Sequence, residues 1–98
     1  MRQLRVDSYV FETLMPDLVL HDHKPSAFLV YLHLWHRAAG RPHARVRTSH
    51  QEIADATGLS KSAVQGAVRT LTRRKLLRAT RTGATATPDY TLLRPWRR

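Results

Sequence analysis

The sequence predicts an α+β chain that is mainly α: a three-helix bundle closed by a small antiparallel sheet. Three observations carry this expectation. A long apolar run, "SAFLVYLHLWHRAA", follows Pro25. Two helix-start signals, Ser49 and Ser60, stand on either side of a tight glycine turn. Two strand-like runs, "LLRATR" and "YTLLR", flank the turn-rich "TGATATPD" near the C-terminus.

Taken in order, residues 1–24 mix apolar and charged positions around Pro16 and end in "HDHK", which predicts a short extended or turn-rich lead-in. It is expected to pack on the domain or on a dimer partner, with residues 25–98 forming the domain itself. From Pro25 the chain reads as a helix, because proline suits a first helical turn, and Gly40 and Pro42 stop it. Phe28, Tyr31, Leu32 and Trp35 recur at helical spacing and are expected to face the core. Leu29, Val30 and Leu34 lie elsewhere on the wheel, so the helix is apolar over more than one stripe. The N-terminal segment or a second subunit must cover it.

"ARVRTS" at 44–49 alternates and is β-branched, which suits an edge strand. Ser49 and Glu52 then form a capping box, in which each side chain satisfies a backbone N–H at the helix start. "HQEIADAT" is a short helix, and Gly58 supplies a left-handed end where a side chain would be strained. Ser60 caps a second helix running to about Arg74. The two final runs read as a hairpin.

Charge narrows the function. With 98 residues, 42% of them hydrophobic, the chain is long enough for one modest core. It carries 17 Lys plus Arg against 7 Asp plus Glu, a formal charge of +10. So cationic a domain repels itself unless a polyanion neutralises it. Cysteine is absent, which excludes disulfides and thiolate zinc sites and fits a reducing cytoplasm. No apolar segment predicts a signal peptide or a membrane span, so a soluble protein without a membrane partner is expected. There is no phosphate-binding glycine loop, cysteine nucleophile or paired-carboxylate spacing, and no enzyme, cofactor or small-molecule substrate is expected. Six histidines raise a metal reading. His33 and His36 lie on the least apolar side of their helix, however, and carboxylates are sparse, so surface or structural roles are expected.

The helix from Ser60 divides by chemistry. At about 100° per residue, Val64, Ala67, Val68 and Leu71 share one arc, while Lys61, Ser62, Gln65, Arg69 and Arg73 share another. Gly66 borders the polar arc and lets the backbone approach a surface closely. Arginine and glutamine can pair with guanine and adenine edges in the major groove, and serine can contact base or phosphate. Arg73 lies further back and suits the sugar–phosphate backbone. Trp96 is expected to complete a core or dimer seam, and Arg97 and Arg98 to form a loose electrostatic tail.

Ser49, Glu52, Ile53 and Ala54, then Gly58, Leu59, Ser60, Lys61, Ser62 and Val64, then Ala67, Leu71 and the leucines at 76–77 resemble the winged helix-turn-helix domains of bacterial regulators such as the GntR and MarR families. The resemblance implies that the second helix of the motif enters the major groove, with Lys61, Ser62, Gln65 and Arg69 at reading positions. It implies that the hairpin is a wing, with Arg78, Arg81 and Thr82 as its contacts. Ser49, His50, Ser60 and Arg73 complete the candidate DNA-binding set. Lys75 departs from the pattern, because glycine usually stands before the first wing strand; the helix end is expected to be strained or reshaped there. The wing tip, with only Arg81 at its edge as a charge, is expected to contribute less than usual. The expectation is a sequence-specific double-stranded DNA-binding regulator acting as a homodimer. Two alternatives are a replication, partition or chromosome-organising protein, and a winged-helix adaptor for an acidic partner.

Overall fold

The computed structural model describes residues 1–97. After a start without regular secondary structure, the chain forms two consecutive wide, π-type helical runs, Val10–Leu14 and Pro16–His21. Helix α1 (Pro25–Arg37), strand β1 (Arg45–Arg47), helix α2 (His50–Thr57), helix α3 (Lys61–Arg73) and strands β2 (Leu77–Thr80) and β3 (Asp89–Leu92) follow. The strands form one antiparallel sheet in the order β1-β3-β2, so the last strand lies between the other two. The bundle, the edge strand at 45–47 and the hairpin are as expected.

The N-terminal segment is a correction. It is helical, not extended, and Val10, Leu14 and Leu18 are buried in the same core as α1. Their four-residue spacing turns one apolar side inward, and Pro16 sits at the start of a helical run, where its missing N–H costs nothing. Val30 and Leu34 of α1 are buried, whereas Leu29 stays exposed.

α1 is the hub. Phe28, Tyr31 and Trp35 are buried as expected, and Leu32 is half-buried. The Tyr31 hydroxyl donates to the Leu93 carbonyl at 2.9 Å, and Trp35 Nε1 donates to the Arg5 carbonyl at 2.8 Å. Each aromatic therefore buries its ring while its polar tip ties down one end of the chain. The Arg94 guanidinium lies 3.8 Å from the centre of the Trp35 ring and donates to the Gly40 carbonyl at 2.7 Å.

The C-terminal expectations are partly overturned. Trp96 stacks on Tyr9, ring centres 4.5 Å apart, and its Nε1 donates to Asp7 Oδ2 at 2.9 Å. It is half-buried against the core, as expected, and joins the C-terminal end of the chain to the N-terminal segment. Arg97 is no loose tail, because it forms a two-pronged ion pair with Asp7. Arg98 lies outside the described residues.

Candidate nucleic-acid interface

Two caps and one glycine place α3. Ser49 Oγ accepts from the Glu52 N–H at 3.0 Å while Glu52 Oε1 accepts from the Ser49 N–H at 3.0 Å, so the capping box is complete. Gly58 ends α2 at φ 79°, a left-handed conformation that L side chains adopt only with strain. Leu59, half-buried, packs against the core at the corner. Ser60 Oγ then accepts from the Ala63 N–H at 3.0 Å and starts α3.

Within α3, Val64, Ala67, Thr70 and Leu71 are buried and clamp the helix to the body. Lys61, Ser62, Gln65, Arg69 and Arg73 are all exposed. None of the five has a side-chain hydrogen bond or ion pair among the described residues. This edge is open to a partner. At Gly66 an added Cβ would meet nothing nearer than an Arg69 nitrogen at 3.8 Å, so the fold itself does not require glycine there.

A groove runs beside the start of α3. Ser49, His50, Lys61, Arg81 and the wing-tip residues Ala84–Pro88 line it, so the hairpin tip folds back towards both helix starts. Burial, then the neighbouring Arg81 and Lys61 charges, hold the His50 imidazole below its usual range. Arg81 Nη1 donates to the Ala84 carbonyl at 3.3 Å and shapes the tip. Thr82 is exposed there. Ser49 and Ser60 both use their hydroxyls as helix caps. Arg78 is exposed on the outer face of the sheet, apart from the groove. Arg45, exposed on the same outer face, was missed at the level of sequence, although the alternation of "RVR" marks it as outward-pointing. Among the described residues no cluster of three or more potential metal ligands forms.

Residues 41–81 match the model of the IclR helix-turn-helix domain. The match spans β1, α2, α3 and β2. The whole chain is also similar in fold to the crystal structure of the AntR antimony-specific transcriptional repressor. The TM-score is 0.52 at 23% identity, over 97% of this chain and 75% of that one. The fold is a winged helix-turn-helix. Its motif is similar to the IclR type, which corrects the resemblance to the GntR and MarR families. The residues behind that resemblance encode caps, a turn and a packed corner, which different winged families share, so they report geometry and not family. No curated protein matches the chain. The motif match supports a DNA-binding transcriptional regulator. No helix among the described residues is long and apolar enough to cross a membrane.

Proposed function

We propose that this chain is a cytoplasmic, non-enzymatic regulator that binds a specific double-stranded DNA site by inserting α3 into the major groove. Residues 25–98 form the DNA-binding unit, and residues 1–24 pack on it and on a second copy. The observation that carries this reading is the free polar edge of α3. Lys61, Ser62, Gln65 and Arg69 stand unengaged while the opposite flank is locked into the core. Gln65 and Arg69 offer paired hydrogen bonds to base edges, and Lys61 and Ser62 sit in the first turn, where recognition helices enter the groove. Arg73, Arg81, Thr82 and the groove residues Ser49 and His50 hold the sugar–phosphate backbone.

A homodimer is supported by the outer side of the N-terminal segment. Phe11, Met15 and Val19 recur every four residues and are 45%, 40% and 38% exposed, and Leu20 and Leu29 add further apolar surface. Two copies joined there present two reading helices to a two-fold site.

Selection of binding sites from random duplex DNA tests the reading. A defined consensus is expected. Gln65→Ala and Arg69→Ala are each expected to cost about 1–3 kcal/mol on that consensus and much less on random duplex. Equal losses on both, or no consensus, would refute sequence reading by α3.

A further inference from the structure

The outer face of the sheet carries an arginine rung that no acid pairs directly: the nearest, Asp89, feels the Arg45 charge but is held by Arg47. Strand register sets Arg45 opposite Thr91, and Thr91 opposite Arg78. Residues opposed across a pleated sheet point to the same side. Val46, Leu77, Tyr90 and Leu92, at the alternate positions, are buried, so the rung points to solvent. Arg45 and Arg78 are exposed and have no hydrogen-bond or ion-pair partner among the described residues. The next rung towards the wing tip differs. There Arg47 grips Asp89 through two bonds of 3.1 and 3.2 Å. The central strand thus accommodates an acid beside an arginine, yet between Arg45 and Arg78 it carries only the neutral hydroxyl of Thr91. Charged edge strands also discourage sheet-to-sheet pairing, but charge of either sign does that. Two like charges flanking a hydroxyl donor, on a chain of net charge +10, fit a polyanion.

We propose that this outer face is a second phosphodiester-binding surface, on which Arg45, Thr91 and Arg78 hold the backbone of the same duplex that α3 reads. The proposal rests on the reading of α3 as the DNA-recognition helix. The rung spans about 10 Å, two inter-strand pair spacings. A DNA strand presents one phosphate per roughly 3.4 Å of axis, so the rung overlies about three. The hairpin leaves the end of α3 and returns its tip to Lys61 and His50, so a duplex seated on α3 passes that tip. The outer face points away from the helical body. The flanking duplex must therefore curve around the wing to reach it, and DNA bending belongs to the proposal.

Two measurements test this on random duplexes of about 12 and 30 base pairs, the lengths being set by one helical turn and by roughly three. The first is the dependence of affinity on salt, and the second is energy transfer between dyes on the ends of the longer duplex. The wild-type protein is expected to bind the longer duplex more tightly and to bring its ends closer. The double variant Arg45→Gln/Arg78→Gln is expected to flatten the log–log salt slope by about two, to lose the gain from length and to leave the duplex straight. Arg45→Lys/Arg78→Lys keeps the charges and is expected to keep most of the slope, which separates phosphate contact from a folding defect. A glutamine variant with wild-type slope and length gain would overturn the proposal. So would two DNA molecules per protein at saturation. Failure of the α3 reading looks different: Arg69→Ala would then leave sequence preference unchanged whatever the sheet variants do.

Discussion

Lys75 occupies a position that helices ordinarily give to glycine. Its φ is 61°, its N–H bonds to the Thr72 carbonyl at 3.0 Å, and the Leu76 N–H bonds to the Leu71 carbonyl at 2.9 Å. This is the paired hydrogen-bond pattern of a left-handed helix end, completed by a residue that has a Cβ. Of the two expectations for this departure, strain describes it and a reshaped end does not. A left-handed non-glycine residue costs about 1–2 kcal/mol, partly offset in a glycine variant by the looser unfolded chain. Lys75→Gly is expected to raise unfolding stability by about 1 kcal/mol in urea titration, and Lys75→Ala to give no such gain. His50 is the second residue with a measurable signature. It is held below its usual range in the free protein, and a phosphate in its groove would favour the imidazolium. The pKa then rises on binding, so affinity is fullest below the free value and falls as pH increases through the bound value. Binding is expected to be tighter at pH 5.5 than at pH 8, and His50→Gln to flatten that difference. Its contribution to folding has the opposite sense. With the folded pKa depressed, stability present above the unfolded value is lost as pH falls through the folded value, so the affinity assay needs a parallel melting curve.

At the scale of elements, α3 combines a clamped flank with a glycine that the fold does not need. Alanine at Gly66 should improve the helix by about 0.5–1 kcal/mol, because glycine is a poor helix former and the site is open. Under the proposed docking, the same methyl group intrudes on the DNA. Gly66→Ala is therefore expected to melt at higher temperature and to bind DNA more weakly; a more stable variant with unchanged affinity would remove the close-approach role. Ser49→Ala opens the capping box of α2 and is expected to cost about 1 kcal/mol. These caps and turns were legible in the sequence because each is written within four residues of chain. The N-terminal helical segment was not. Val10, Leu14 and Leu18 repeat at helical spacing, but Pro16 interrupts the run, and only the uncovered flank of α1 explains why it closes into a helix.

Across the whole molecule, charge is sorted. Asp7, Glu12, Asp17 and Asp22 place four of the seven acids in the first 24 residues. Asp22 takes a two-pronged bond from Arg74 at 2.6 and 2.8 Å, and Asp7 takes one from Arg97. The N-terminal segment thereby neutralises Arg74 and Arg97, whereas Lys61 and Arg69 on the free edge of α3 keep their positive charge. Hydrogen bonds from Arg97 and Arg74 hold the Asp7 and Asp22 carboxyls below the usual carboxylate range. Stability from these pairs is full above the unfolded carboxylate value and is lost as pH falls through the depressed folded values. Acid unfolding is accordingly expected below about pH 4, and Asp7→Asn is expected to lower the melting temperature at pH 7 and shrink its fall on acidification. For the proposed homodimer, Phe11→Glu with Met15→Glu is expected to halve the mass in sedimentation equilibrium. A wild-type monomer at every concentration would contradict the dimer.

The sequence alone determined the helix starts, the left-handed turn at Gly58, the two-sided chemistry of α3 and the class of the fold. All of these rest on short-range periodicity and on backbone groups that need a partner within one turn. Tertiary structure decided what lies far apart in the chain: Asp7 against Arg97, Asp22 against Arg74, and Arg45, Arg78 and Thr91 on one rung. Such pairings follow from how apolar faces stack and which strand register buries them, and no local pattern encodes that outcome.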